Sequence, residues 1–276
     1  MTTRSPSGRL HMAAAIAALL AVTTISPAVA GPADPDDRWS IRLGAVGFVM
    51  PEYQGSDSYK LRPLPDIDIS YDDRYFLSRM GLGANVLNGG PLTVGAAIGF
   101  DGGRSSGKHP ALRGYRGVGD TAVGRVFIEY DVGPLGLSAD ITTDVLGRGH
   151  KGTTVTLGAG YIFKFATGTG LLISPSLTWA SGDYMHRFFS TTTDRLRPVD
   201  PADPVTPGSA VGYKAGSGFK DAGLMAILIQ PLDKNWSVTG FVGYARMLGD
   251  AADSPFVKDN GSRNQFTGGM GLAYTF

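Results

Sequence analysis

The chain has 276 residues, no cysteine, and a formal net charge of +1 from 25 basic and 24 acidic residues. Because the chain has no thiols, disulfide bonds, thiol redox chemistry and thiolate–metal binding are excluded. The balanced charge indicates neither nucleic-acid binding nor a polybasic membrane patch. The 40 glycines are about twice the usual share of ~7%, which is typical of bends and close-packing points in strands.

The first residues predict a cleaved secretory signal. A basic leader is followed by an apolar run, and then by Ala28 and Ala30, the small residues that a signal peptidase requires. The apolar run is much shorter than the roughly 20 residues of a membrane-spanning helix. We therefore expect residues 1–30 to be removed before Gly31 on export through the inner membrane, leaving one domain over 31–276.

The remainder of the chain reads as strands, because apolar residues alternate with small or polar ones at a period of two. In one clear example, Leu135, Leu137 and Ile141 alternate with Ser138 and Asp140. Turn-forming pairs rich in Gly, Asp and Asn separate the segments. We predict about twelve strands, near residues 39–50, 60–71, 74–87, 91–101, 120–132, 134–146, 153–166, 169–181, 183–190, 219–230, 235–248 and 264–276.

These strands favour a membrane barrel over a soluble sandwich. Each has one apolar and one polar face, and the mean hydropathy is −0.00 although the chain carries an export signal. Lipid-facing and lumen-facing residues average out in this way in a barrel. Trp39, Trp179 and Trp236 fall near predicted strand ends, as in an interfacial aromatic girdle. The predicted fold is all-β, a transmembrane antiparallel up-and-down β-barrel of about 12 strands, with ten possible.

One inconsistency concerns the sides on which the loops lie. Long loops of such barrels face outward and short turns face the periplasm. Counting back from the last strand, however, places the long connection 101–119 on the periplasmic side, unlike 190–218 and 250–262. Omitting the weak strand 183–190 corrects this loop but leaves an odd number of strands. Ten, eleven and twelve strands therefore remain open.

The last strand resembles the C-terminal signal by which bacterial assembly machinery recognises outer-membrane barrels. Met270, Leu272, Tyr274 and Phe276 alternate with Gly or small residues. An unpaired apolar edge of this kind invites aggregation in a soluble protein, whereas closing a barrel removes the edge. We expect these four residues to form the lipid face of a closing strand that pairs with the strand at 39–50.

The polar faces supply candidate lumen charges: Arg125, Glu129, Asp140, Asp144 and Lys164. They could line a pore or pair across a filled interior. The second alternative is favoured, because side chains can largely fill a barrel of ten to twelve strands.

Motifs for catalysis or cofactor binding are weak. Residues 147–152 fit the spacing of a dinucleotide fingerprint, but a strand follows where that motif needs a helix, so a hairpin loop is predicted. His186 lies near Ser181 and Asp183 in sequence, without the spacing of a nucleophile elbow. No His, Asp and Glu cluster has metal-ligand spacing. We predict no catalytic residue, no cofactor and no metal site.

Several blocks of sequence resemble one known family. They are Gly44–Gly47, Pro51–Asp57, Leu61–Pro65, Asp73–Ser78, Gly81–Gly83, Trp236–Val238, Gly243–Pro255 and Gly261–Phe266. On these blocks the chain resembles the MipA/OmpV outer-membrane proteins, MipA meaning MltA-interacting protein. The resemblance spans the mature chain, although 190–218 is individual to it.

The resemblance implies an outer-membrane barrel without known catalysis. The family's named member is a scaffold that joins a lytic murein transglycosylase to a bifunctional penicillin-binding protein, and other members are associated with adhesion or antibiotic passage. We therefore expect a non-enzymatic scaffold in the outer membrane. Its expected partners are membrane lipid, the barrel-assembly machinery and these two murein enzymes, and not nucleic acid.

Alternatives to the scaffold stay open. A passive diffusion channel is the first, and a lipid-active enzyme or an adhesin is less favoured. Within the scaffold hypothesis, the block Leu248–Pro255 is either a recognition loop or a loop folded against the barrel rim.

Overall fold

The structure is a computed structural model that describes residues 38–107, 109–202, 204 and 206–276. The predicted signal, with Ala28, Ala30 and Gly31, lies outside the described residues. The strands are β1 (Trp39–Pro51), β2 (Tyr59–Tyr71), β3 (Tyr75–Ser78), β4 (Gly81–Gly89), β5 (Leu92–Asp101), β6 (Thr121–Val132), β7 (Leu135–Asp144), β8 (Thr153–Lys164), β9 (Gly170–Ala180), β10 (Gly218–Pro231), β11 (Trp236–Met247) and β12 (Asn264–Thr275).

The strands form one closed antiparallel barrel in chain order. Closure is made by β1 and β12, in which Arg42 lies opposite Thr275 and Val49 opposite Gly268. Beyond this ladder, the Phe276 N–H donates to the backbone oxygen of Ile41 at 3.0 Å. The predicted up-and-down barrel of about twelve strands is thereby confirmed, and its last strand pairs with the first.

The outer surface of the barrel is an apolar belt. On β12, Phe266, Met270 and Leu272 are exposed, while Gln265 and Thr267 on either side of Phe266 are buried in the interior. The same alternation exposes Ile128 of β6, Leu157 of β8 and Leu224 of β10 elsewhere around the barrel. Water does not favour so continuous an apolar surface, whereas the hydrocarbon core of a bilayer does.

Two strand predictions are wrong, and their errors cancel in the count. The predicted strand 74–87 is two strands, β3 and β4, separated by a tight turn before Gly81, whose φ is +109°. The predicted strand 183–190 is instead a helix, α1 (Gly182–Phe189). Its Tyr184, Met185, Phe188 and Phe189 are buried, and their spacing repeats with the period of a helix rather than of a strand.

The extra strand also removes the inconsistency in the loops. Because β3 and β4 form a hairpin, β5 runs in the direction opposite to the one predicted. The connections 102–120, 181–217 and 248–263 therefore all leave the same end of the barrel, which we call the loop end. Both ends of the described barrel and its short turns lie at the turn end, except the turn between β3 and β4, which points toward the loop end. The loops contain α1, α2 (Gly249–Asp253), α3 (Pro255–Lys258) and two single 3-10 turns.

Aromatic residues mark both ends of the belt. Trp39 and Trp236 begin their strands at the turn end, where their rings lie 4.8 Å from Tyr71 and 5.1 Å from Tyr274. Trp179 lies near the loop end of β9. These are positions that tryptophan favours at membrane interfaces.

Candidate functional site

The predicted lumen charges do not form one group. Arg125 and Asp140 lie on neighbouring strands and make an ion pair, with 2.7 Å between Nε and Oδ2. Thr142 donates to the other oxygen of Asp140 at 2.9 Å. Glu129 lies further toward the turn end of the same inward face, and Lys164 is exposed at the turn end of β8. Arg125 and Asp140 are thus paired with each other rather than presented as a ring of free charges.

Asp144 organises a loop instead of lining the lumen. Its carboxylate accepts hydrogen bonds from the hydroxyl of Thr121 and from the backbone N–H groups of four residues, namely Leu146, Gly147, Gly149 and Lys151. The segment 147–152 is therefore a loop folded around a carboxylate, which agrees with the predicted hairpin loop.

A second ion cluster, which was not predicted from the sequence, connects β1, β2 and the turn between β3 and β4. Asp66 of β2 accepts from Arg79, in the turn between β3 and β4, at 2.7 and 3.1 Å. Its other oxygen lies 3.1 Å from the guanidinium of Arg42 on β1. The alternation of polar and apolar residues in β1 and β2 could have identified Arg42 and Asp66 as inward-facing charges. Their contact, however, depends on the register between the two strands, which the sequence does not give.

The lumen also contains an apolar layer. It consists of the buried side chains of Val46, Phe48, Met50, Met225 and Phe241, with Leu64 and Ile227 packed against them. Glycines make room for the rings: a Cβ on Gly269 would lie 2.7 Å from the Phe241 ring. This part of the lumen is therefore a packed core rather than an aqueous channel.

A small cavity with a mixed apolar and polar lining lies between this layer and the loops. It has a volume of about 30 Å³ and is lined by Met50, Gln54, Thr267 and the buried ion pair of Lys220 and Asp221, among others. The oxygen atoms Gln54 Oε1 and Thr267 Oγ1 are buried without a hydrogen-bond partner among the described residues. A cavity of this size has room for one or two water molecules, which these polar atoms could bond.

The loops pack into a dome over the loop end, made of the described residues of 102–120, 181–217 and 248–263. Met185, Phe188 and Phe189 of α1 are buried against Ala251 and Val257 of α2 and α3. A second cluster joins Leu112 and Tyr115 of the first loop to Phe256 of α3 and to Tyr53 after β1. The block Leu248–Pro255 is therefore largely folded into the dome, which agrees with a loop folded against the barrel rim rather than with a free recognition loop.

Two buried arginines hold the end of α1 in the dome. Arg104 and Arg195 donate to backbone oxygens in the last turn of the helix, and Ser254 donates to the next one at 2.6 Å. These oxygens lack partners within a helix and carry its negative dipole end, which favours cations. Burial lowers the pKa of Arg104 to about 9 and that of Arg195 to about 10, so both remain charged at neutral pH.

His150 is a packed, neutral side chain beneath the dome. Its Nδ1 accepts the Gly152 N–H at 3.1 Å, which places the proton of the neutral ring on Nε2, 3.9 Å from Asp101. The ring lies 4.8 Å from that of Tyr184. Burial lowers the pKa of His150, against the opposing effect of Asp101.

The loop 181–217 contains a serine, a histidine and an aspartate in contact, but the serine and the aspartate are not the two that were considered from the sequence. His186 bonds Ser190 at 3.0 Å through Nδ1 and Asp194 at 2.8 Å through Nε2, rather than Ser181 and Asp183. Ser190 is only 1% exposed, and its Oγ accepts the Ala215 N–H at 2.9 Å. A nucleophile must reach its substrate, so this group is placed to hold the loop and not to attack an ester.

The described part of the chain contains neither a cluster of metal ligands nor a helix that could span a membrane. No three His, Asp or Glu side chains there are placed to hold a metal ion. None of the helices in those same residues is long and apolar enough to cross a membrane.

A closed antiparallel barrel with an apolar belt, a largely packed lumen and a dome at one end is a membrane β-barrel of the bacterial outer-membrane type. The chain matches the family MltA-interacting protein MipA over residues 43–276. It belongs to that family, and the resemblance seen in the sequence is confirmed.

Solved structures give similarity of fold only. An outer-membrane channel from Pseudomonas putida F1 is 14% identical, with a TM-score of 0.39, over 88% of this chain and 99% of that one. The anion-selective porin from Comamonas acidovorans is 12% identical, with a TM-score of 0.31, over 86% and 98%. With TM-scores below 0.5, these similarities do not indicate a shared function. No curated protein matches the chain.

Proposed function

We propose that this protein is a non-conducting outer-membrane barrel that acts as a scaffold for murein-remodelling enzymes. The observation that carries the proposal is the dome, because it covers the loop end with a buried apolar core. A diffusion channel needs a continuous water path, and such a core opposes one. Long loops of outer-membrane barrels face outward, which directs the turn end toward the periplasm and the cell wall.

The family supplies the class of partner. Its description as MltA-interacting protein supports a lytic murein transglycosylase, and a penicillin-binding protein is the second partner implied by the resemblance. Both would meet the turn end. Fold alone does not fix function, so this part of the proposal rests on family membership and on the orientation of the barrel.

Two experiments test the scaffold. In planar bilayers we expect the purified barrel to give no steady open conductance, and a steady pore would overturn the non-conducting part. From solubilised outer membranes we expect a transglycosylase or a penicillin-binding protein to co-purify with the full chain. Repeated absence of both, with the barrel folded, would overturn the scaffold itself.

The ends of the chain enter the same proposal. Cleavage between Ala30 and Gly31 would release the mature barrel, and N-terminal sequencing of the outer-membrane form tests this. The assembly machinery would read the residues Met270, Leu272, Tyr274 and Phe276. Phe276→Ser should lower the amount of assembled barrel severalfold without changing the amount of precursor, and equal assembly would contradict that role.

A further inference from the structure

The barrel wall is incomplete beyond the tip of the β3–β4 hairpin, because β3 has only four residues. β2 pairs with β1 from Tyr59 to Tyr71, but with β3 only from Ile69 to Tyr71. Residues 59–68 of β2 therefore extend past β3 with no strand beside that edge among the described residues. At ~3.3 Å per residue this open edge of β2 is roughly 30 Å long.

The open edge is built to stay unpaired. Just past β2, the Asp72 N–H donates to Arg38 on the β1 side at 2.7 Å, so even-numbered residues of β2 direct their backbone groups to β1 and odd-numbered residues away from it. Pro63 and Pro65 are odd-numbered and have no N–H. Proline on an exposed edge prevents another strand from adding there. At Pro63 and Pro65 the edge consequently presents only carbonyl oxygens, whereas Tyr59, Leu61 and Ile67 also direct an N–H away from β1.

The opening lies within the lipid-facing wall. Leu61 of the open edge is 71% exposed, and Ile98 and Phe100 of β5, on the far side of the hairpin, are 65% and 58% exposed. Backbone at membrane depth needs polar partners unless protein covers it or it lines a cavity. Acyl chains alone cannot supply them to the open edge, so a polar group has to reach this point.

The inner side of the opening combines an apolar surface with a guanidinium group. Leu64 points inward and packs on the apolar layer of the lumen beside Val46 and Phe48. Arg62 follows on the same inward face, and its Nε is buried without a hydrogen-bond partner among the described residues. A molecule with one acyl chain and a negative headgroup complements both features.

Arg79 lies across the lower edge of the opening. From the tip of the hairpin it reaches Asp66 at 2.7 Å, while its side chain remains 44% exposed. On the far side Met80 packs on β5, where a Cβ on Gly99 would lie 2.6 Å from its oxygen. Arg42 holds Asp66 from the lumen side at 3.1 Å, away from the opening. Removal of Arg79 therefore widens the opening, and removal of Arg42 does not.

We propose that the gap between β2 and the tip of the β3–β4 hairpin is a lateral site for a fatty-acid-like amphiphile from the surrounding membrane. Its chain lies on Leu64 and the apolar layer, and its carboxylate binds Arg62. The site is independent of any protein partner of the turn end.

Photo-crosslinking tests the site in the full barrel, reconstituted in phosphatidylethanolamine and phosphatidylglycerol vesicles with diazirine-labelled palmitate. Mass spectrometry should find adducts on inward-facing residues of β1 and β2. Arg79→Ala should raise their yield severalfold, and Arg42→Ala, the matched control, should leave it unchanged. Arg62→Gln should lower the palmitate yield severalfold but not that of palmitate methyl ester. Leu64→Trp should abolish inward adducts.

Several outcomes would overturn the site. Adducts confined to the outward face would place palmitate on the belt only, and an equal rise with Arg42→Ala would remove the role of the opening. Diazirine-labelled phosphatidylglycerol that labels the same residues more strongly would replace the fatty acid as occupant. Retained folding of each variant is verified by its heat-dependent migration in gels.

Discussion

Phe256→Ala tests whether the dome is a cooperative unit. Phe256 is fully buried, and its ring packs edge-on against Tyr115 at 5.0 Å and beneath the guanidinium of Arg104 at 4.9 Å. Truncating a buried Phe to Ala costs about 3–5 kcal/mol. Because 1.4 kcal/mol corresponds to a factor of ten, the equilibrium for opening the dome should rise by roughly 100-fold or more.

Hydrogen exchange of the barrel in detergent measures this opening peptide by peptide. We expect peptides of the dome to exchange roughly 100-fold or more faster in Phe256→Ala, while strand peptides keep their rates. Val199→Ala is the matched control, because Val199 lies in the same loops but is 83% exposed. Unchanged exchange in the dome would refute the shared core. Equal acceleration in the strands would show that dome and barrel unfold together.

Three further predictions concern the interior. Arg125→Ala leaves Asp140 buried and without its ion-pair partner, which should lower the free energy of unfolding by about 3–5 kcal/mol. Urea denaturation measures this, and an unchanged urea midpoint would contradict it. His150 is neutral when folded, but unfolded chains take up a proton below pH ~6.5, so stability should fall from pH 7.5 to 5.5, and less so in His150→Gln. An equal fall in both proteins would exclude His150 as the cause. Gly269→Val would bring a Cβ to 2.6 Å from Gly47 O and should lower the melting temperature, whereas a rise would refute close packing there.

The barrel was predictable because its walls have a simple repeat. Period-two alternation placed most strands to within a few residues, and the resemblance to a family supplied the class. The hairpin was missed because residues 74–87 resemble one continuing strand across Arg79 and Met80, and because the turn has no proline and no Asn-Gly or Asp-Gly pair. Only the positive φ of Gly81 distinguishes a turn from a continuing strand.

The site was less predictable for a different reason. Arg125 and Asp140 were identified as inward charges, but their pairing depends on the register between β6 and β7. The helix α1 could have been found, since Tyr184, Met185, Phe188 and Phe189 are spaced as on one helix face. The open edge of β2 arises because β3 is only four residues long. In the sequence, only Pro63 and Pro65 indicated an unpaired edge.

The dome also determines an order of events. Tyr53 bonds the Phe256 carbonyl across 203 residues of sequence, and the Gly55 N–H bonds Gln265 across 210. Contacts of such long range form late, because large loops must close first. The dome therefore forms only after β12 has joined β1, and protease resistance of its exposed loops would report, molecule by molecule, that insertion into the membrane is finished.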